Sequence, residues 1–288
     1  MNFNAKFIRY QFMSLPAFLL FASFFIYPLL HGIGMSMTDW DGFSEARFIG
    51  LNNFLAFFQD RRAIGDIRTT VLFAVGSAVL LNIVGLAYAL LMNSNIRGKN
   101  MFKVFIYMPA VISPLIMGYI WYFLLQPGRG YLYLMSERFF QSSFIGDWLT
   151  NYASALLVLI LVNVWQYAGM TMIIYLSGLQ SISEEIYESA VIDGASGLQS
   201  FRYMTFPLLM PALRINIVTN IIGSLSVFDV IMAMTEGGPG YSTESLSIYI
   251  MRMCYGSRTG YSTAVALILF LIILVPVGIS LRLMKEKK

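Results

Sequence analysis

Apolar residues in this chain come in long runs separated by short polar intervals. Six runs stand out, at about 11–34, 69–92, 104–126, 151–178, 207–232 and 261–283. Each is close to or above the ~20 residues that an α-helix needs to cross about 30 Å of hydrocarbon. None alternates polar and apolar positions as the strands of a membrane barrel do. Backbone in lipid has to satisfy its own hydrogen bonds, so these runs read as helices. The pattern predicts an all-α membrane protein with six transmembrane helices, residues 1–288 forming one membrane domain. Pro16, Pro28, Pro109, Pro114, Pro207, Pro211 and Pro276 lie in or beside the runs, where each removes a backbone donor and bends the helix. The longest polar intervals hold about 25–35 residues, too few for an independent domain but enough for short interfacial helices.

Composition agrees: the chain is 58% hydrophobic and 12% charged, against roughly 25% charged in a soluble domain. A cytoplasmic N-terminus makes 1–10, 93–103, 179–206 and 284–288 the inner segments and 35–68, 127–150 and 233–260 the outer ones. All six lysines (Lys6, Lys99, Lys103, Lys285, Lys287 and Lys288) then lie inside, as the positive-inside rule requires. The arginines are less orderly, since Arg47, Arg61, Arg62 and Arg68 share the first outer segment with Asp39, Asp41, Glu45, Asp60 and Asp66. Both termini are expected in the cytoplasm. The net charge of +4 follows from this topology, and no basic groove interleaved with aromatics points to nucleic acid. Lys6 and Arg9 precede the first run as in a secretory signal, but the run is too long and no small-x-small site follows, so it reads as a retained span. With one cysteine, Cys254, and one histidine, His31, no intrachain disulfide and no His/Cys metal site is expected. His31 reads as a packed or interfacial side chain.

The inner segment 179–206 is too polar for hydrocarbon. Ser183 followed by Glu184 and Glu185 predicts an N-cap with an acidic first turn. Tyr187, Ala190 and Val191 repeat at helical spacing, Gly194 ends the helix, and Ala195 and Gly197 keep the elbow slim. A second short helix, Leu198 to Thr205, runs toward Pro207. The product is a helix-turn-helix knob, suited either to a partner's groove or to lying on the membrane surface.

The string Glu188-Ser189-Ala190-Val191-Ile192-Asp193-Gly194-Ala195, with Pro207 thirteen residues after Gly194, resembles the EAA loop of ATP-binding-cassette importer permeases, with Glu-Ser-Ala for Glu-Ala-Ala. "SMTDW" with "FIGLNNF", "RGKNMFKVFIYMPAVIS", "NVWQYAGM" and "FDVIMAMTEGGPGYSTESLSIYI" are similar to the carbohydrate-importing, MalF-like branch of that family, and the resemblance covers nearly the whole chain. It implies a type I importer permease in a bacterial or archaeal cytoplasmic membrane. The implied partners are a second homologous permease subunit in a heterodimer, a cytoplasmic ABC ATPase dimer and an extracytoplasmic solute-binding protein. It also implies that Glu188, Ala190, Asp193, Gly194 and Ala195 couple to the ATPase, and that Asp229, Gly237, Gly238 and Pro239 lie at the outer gate or binding-protein contact. The chain is then not an enzyme and carries no cofactor, ATP and Mg being bound by the ATPase. Independently, the chain's one Gly-Lys pair, at Gly98, has Asn93 and Asn100 where a phosphate-binding loop needs glycine and a hydroxyl.

A hydroxylated solute crossing the membrane needs uncharged hydrogen-bonding groups on a pore-facing helix surface. Asn163, Gln166, Tyr167 and Met170 share one face of the fourth run, and Asn220, Gly223, Ser224 and Val227 one face of the fifth. Polar groups in a bilayer face protein or a water-filled cavity, so these faces are either the solute pathway or interhelical packing. In the resembling family the sugar site lies on these two spans, and Asn163 matches it residue for residue. Asp229 is ionisable inside a predicted span and is expected to shape the "TEGGPG" turn next to it, with ligand contact as the second reading. The turn itself is explicable by local geometry alone. Glu188 and Asp193 could instead cap helices. Two other classes were weighed: an ion-coupled secondary transporter, which calls for midplane charges and matching halves, and a membrane enzyme, for which no carboxylate pair, metal triad or His-assisted nucleophile can be assembled.

Overall fold

The computed structural model describes residues 14–94, 96–140 and 148–283. Lys6, Arg9, Lys285, Lys287 and Lys288, on which much of the inside-positive reading rests, lie outside the described residues. Among the described residues the protein is helical, apart from one antiparallel bridge between Thr38 and Phe48. In chain order the helices are α1 (Ser14–Ser36), α2 (Asn52–Gln59), α3 (Arg61–Asn93), α4 (Lys99–Val111), α5 (Pro114–Leu125), α6 (Tyr131–Phe140) and α7 (Tyr152–Gln180). There follow α8 (Glu184–Ile192), α9 (Gly197–Leu208), α10 (Met210–Leu225), α11 (Asp229–Met234), α12 (Leu246–Tyr255) and α13 (Thr259–Leu283). Four helices, α1, α3, α7 and α13, are long and apolar enough to cross a membrane, and the number rises to six if the bent pairs α4–α5 and α9–α10 each count as one span. α3 begins at Arg61, upstream of the expected 69, and has 33 residues. At 1.5 Å per residue that is about 50 Å, well beyond the hydrocarbon thickness.

The two bends fall where the sequence has prolines, at Pro114 and at Pro211, and both have a local cause. Pro114 forces the residue before it out of the helical region, and Ile112 and Ser113 are extended, with ψ of 139° and 131°. α4 and α5 consequently meet at 96°. The freed carbonyl of Ile112 accepts a hydrogen bond from Gln166 Nε2 at 3.1 Å, the kind of substitute partner that a broken helix in a membrane requires. At the second site Pro211 opens α10, and the chain turns by 67° at Leu209. The expected span 207–232 thus starts later, at Met210, and it also ends early, because Ser226–Phe228 break the helix before α11. The Val227 carbonyl in that break is taken by Ser245 Oγ at 2.8 Å.

The chain gathers into two compact units. One comprises the described residues up to Arg61 with Tyr249–Phe270. No residue of α1 before Ser36 is buried, so its apolar surface faces outward within the chain; His31 is exposed there rather than packed. Asn53 Nδ2 donates to the carbonyls of Ser36 and Thr38, both at 2.8 Å, and so ties the end of α1 to α2. Gly260 N donates to Trp40 O at 2.8 Å, an approach that leaves no room for a Cβ beside Thr38 O. Asp60 accepts from Tyr249 OH at 2.5 Å, and burial together with that bond pushes the tyrosine hydroxyl up from its ordinary value.

The other unit comprises Arg62–Ile248 and the described residues from Leu271. α7 is its centre, burying Leu156, Leu159, Val162 and Ala168 in one apolar cluster and Met172, Tyr175, Leu176 and Leu179 in another. α4 and α10 pack on α7, and α11 packs on α5. Glycine permits a close crossing of α4 and α7, since a Cβ on Gly169 would run into the backbone of Ile106 and Tyr107 in α4. Close backbone approach through small residues is the usual means of association where lipid is as apolar as leucine.

Candidate functional site

Helical spacing on α7 and α10 carries polar side chains to one place. Asn163, Gln166, Tyr167 and Met170 from α7 and Asn220, Gly223, Ser224 and Val227 from α10 and the break after it line a single cleft of about 260 Å³. Asn163, Gln166, Asn220, Ser224 and Val227 are buried, Tyr167 is half-buried, and Met170 and Gly223 are exposed. The lining also includes Pro114, Thr171, Asn216, Thr219, Phe228 and Asp229. Asn216 and Thr219 lie one turn before Asn220 and Gly223, so extending the same stripe by four residues would have found them. Phe228 is brought in by the break at 226–228, which the apolar run did not reveal. Asp229, expected at the end of the span and to shape the turn next to it, is the first residue of α11 and forms part of the cleft wall.

Some of these groups already serve the fold. Gln166 donates to Ile112 O, Asn216 Nδ2 donates to Thr171 O at 3.2 Å, and Thr171 Oγ1 donates to Asn220 Oδ1 at 3.4 Å. Asn216 Oδ1 and Asn220 Nδ2 have no hydrogen-bond partner among the described residues. An unmatched acceptor and an unmatched donor are costly in a buried wall unless something visits them. With one carboxylate and no histidine, cysteine or lysine among the described residues of the lining, the cleft has the means to hold a hydroxylated solute but brings together no acid–base pair to transform it.

The segment 184–208 forms the expected hairpin. Ser183 sits at the N-cap of α8 with extended backbone, but its side chain makes no capping bond, which corrects the capping expectation. Gly194 adopts φ +74°, and the bonds Ala195 N to Ala190 O (2.9 Å) and Gly194 N to Val191 O (3.1 Å) close the helix end as a left-handed glycine cap. α9 opens with a capping box that the sequence reading missed: Ser196 N donates to Gln199 Oε1 at 2.8 Å and Gln199 N to Ser196 Oγ at 3.4 Å. Its signature, Ser-Gly-Leu-Gln, was present in the sequence. α9 continues through Pro207 to Leu208 instead of ending at Thr205. Ala190 is 1% exposed, whereas Glu188, Asp193 and Gly194 are exposed and Ala195 is half-buried. Val191, the third member of the apolar stripe, is exposed at 74%, as are Ile192 at 85% and Leu198 at 78%.

The turn 235–245 is held by its own side chains. Thr243 Oγ1 donates to Gly238 O at 2.6 Å and lies 2.9 Å from Thr235 Oγ1. Gly237 is buried with φ +80°, and a Cβ there would meet Glu244 Cα at 3.2 Å, so glycine is required twice over. Gly238 is half-buried and Pro239 exposed. The turn is fastened to the start of α3: Thr69 Oγ1 donates to Ser242 O at 3.0 Å, and Leu246 N donates to Thr70 Oγ1 at 2.9 Å. Arg62 grips Glu244 with Nε to Oε2 at 2.7 Å and Nη2 to Oε1 at 3.0 Å, and its guanidinium lies 3.6 Å from the centre of the Tyr241 ring.

Membrane-length apolar helices, broken ones framing an uncatalytic polar cleft, and an exposed hairpin are the parts of a multi-pass membrane protein that conducts solute. Residues 81–286 match the family described as "Binding-protein-dependent transport system inner membrane component", and the chain belongs to it. The chain is 31% identical over 277 residues to the "Probable starch degradation products transport system permease protein AmyD" of Thermoanaerobacterium thermosulfurigenes, covering 94% of each. It is 32% identical over 284 residues to the "Multiple sugar-binding transport system permease protein MsmF" of Streptococcus mutans, covering 98% of this chain and 96% of that one. Among solved structures it superposes with a TM-score of 0.81 and 26% identity on a chain of a bacterial ABC transporter that imports the acidic polysaccharide alginate, covering 98% of this chain and 96% of that chain. The protein is therefore a transport permease subunit of the ABC importer type and not a catalyst.

Proposed function

We propose that this subunit forms half of the translocation pathway of an ATP-driven, binding-protein-dependent carbohydrate importer. The observation that carries the reading is the convergence of the uncharged polar faces of α7 and α10 on one cleft within a chain of this family. At about 260 Å³ the cleft falls just short of the ~300–1,000 Å³ typical of a complete ligand site, which suits a wall completed by a second, homologous permease subunit. The relatives' names supply the cargo class, sugars and starch fragments. In this reading the chain crosses the membrane six times, with both termini and the hairpin 179–206 in the cytoplasm.

The hairpin is the contact to a cytoplasmic ABC ATPase dimer that holds ATP and Mg. Exposed Val191, Ile192 and Leu198 beside Glu188 and Asp193 make a mixed apolar and acidic surface. Each aliphatic side chain removed from water contributes about 1.5–3 kcal/mol, and the carboxylates offer charge-assisted bonds to basic partners. The turn with Gly237, Gly238 and Pro239 faces an extracytoplasmic solute-binding protein and the outer gate. The test is ATP hydrolysis by the reconstituted complex with its binding protein, screened across neutral oligosaccharides. Stimulation by a sugar, with uptake that needs ATP and ignores ionophores, is the expected result. Uptake that collapses with an ion gradient and persists without ATP would overturn it.

A further inference from the structure

We propose that the cleft selects by charge, admitting neutral and amine-bearing sugars and turning away carboxylated or phosphorylated ones, with Asp229 as the specificity-determining residue. The inference rests on the cleft being the solute pathway, as proposed above. None of the described residues lining it is Lys, Arg or His. Its hydrogen-bonding capacity is neutral, provided by amides such as Asn163, Asn216 and Asn220 and by hydroxyls such as Thr219 and Ser224. Asp229 is the single carboxylate in this lining, close enough to Tyr167 for the two to interact electrostatically. It forms no ion pair among the described residues, so no cationic side chain there neutralises it.

The fold does not dictate cargo charge, since the superposed alginate importer carries an acidic polysaccharide. Charge selection therefore falls to the residues in the wall. Between apolar walls water screens less than at an open surface, so a fixed carboxylate repels an anion strongly and attracts a cation equally. Neutral hydroxyls meet no such barrier, and a lining of amides and hydroxyls can both accept from and donate to them.

The experiment uses the purified complex in nanodiscs without binding protein, so that only the cleft discriminates. Glucose, protonated glucosamine and glucuronate, alike but for one substituent, are compared by saturation-transfer NMR. Glucose and glucosamine should bind at least about tenfold better than glucuronate, and Asp229→Asn should shrink that ratio toward one while Asp229→Glu preserves it. Glucuronate binding as well as glucose in the wild type, or a ratio unmoved by Asp229→Asn, overturns the charge inference and leaves the pathway reading standing. Failure of all three sugars to bind overturns the pathway reading and this inference with it.

Discussion

Replacing Arg62 should do more damage than replacing Glu244, although the two share one ion pair. The asymmetry lies in their surroundings: the Glu244 side chain is 0% exposed and that of Arg62 30%. Arg62→Gln deprives a fully buried carboxylate of two charge-assisted bonds, a loss of about 3–5 kcal/mol when one partner of a buried pair is removed. Glu244→Gln leaves a guanidinium that retains water and the Tyr241 ring, and the new amide still accepts one bond, so the loss is about 1–2 kcal/mol. For a chain of this size 1 kcal/mol corresponds to roughly 2–4 °C. The assay is the temperature at which the purified complex loses its monodisperse peak in size-exclusion chromatography. Arg62→Gln should lower it by roughly 10 °C and Glu244→Gln by a few degrees. Equal shifts, or a larger one for Glu244→Gln, would refute the reasoning, because they would mean that the carboxylate is not the group stranded by desolvation.

Three further outcomes follow from particular residues. At Gly169 a Cβ meets the backbone of α4, whereas at Gly223 it meets nothing within 4 Å; Gly169→Ala should cost about 1–3 kcal/mol by overpacking, while Gly223→Ala keeps the same midpoint and alters solute uptake. Gly194 needs φ +74° but has open space around it, so Gly194→Asn should preserve solute-stimulated ATP hydrolysis, while Gly194→Val, strained by about 1–2 kcal/mol, should diminish it with insertion unchanged. Asp41 Oδ1 accepts from Phe43 N, Ser44 N and Ser44 Oγ at 2.8–2.9 Å, which lowers its pKa from 3.8 to about 2. Because the folded value is the lower one, its contribution is present above pH 3.8 and is lost as pH falls through about 2. The stability difference between wild type and Asp41→Asn should therefore vanish in that window, and a difference that persists below it would contradict the assignment.

How much of this was legible beforehand depends on the range over which each signal acts. Hydropathy is summed over twenty residues, so the membrane class and the approximate apolar runs were readable. A bend depends on one proline and on the partner that takes up the freed carbonyl. Pro114 was visible, but Gln166, the residue that makes the break tolerable, is 52 positions away in sequence. Helical periodicity placed eight side chains on two faces, and those faces meet in one cleft because each is local to its helix. It could not place Asp229, whose position is set by the break at 226–228 and by Ser245 taking the Val227 carbonyl. The hairpin shows the same division: Gly194 announces its turn by residue type alone, whereas spacing grouped Tyr187, Ala190 and Val191 in one apolar stripe that the fold divides, burying Ala190 and leaving Val191 exposed, since a nine-residue helix carries too few apolar positions to define one buried face. Two adjacent aliphatics left in water at such a place, Val191 and Ile192, bring a cost in solubility that the isolated chain does nothing to offset. Under the proposed docking that surface is covered when the complex assembles, so Val191 and Ile192 are the aliphatics through which the hairpin would meet the ATPase.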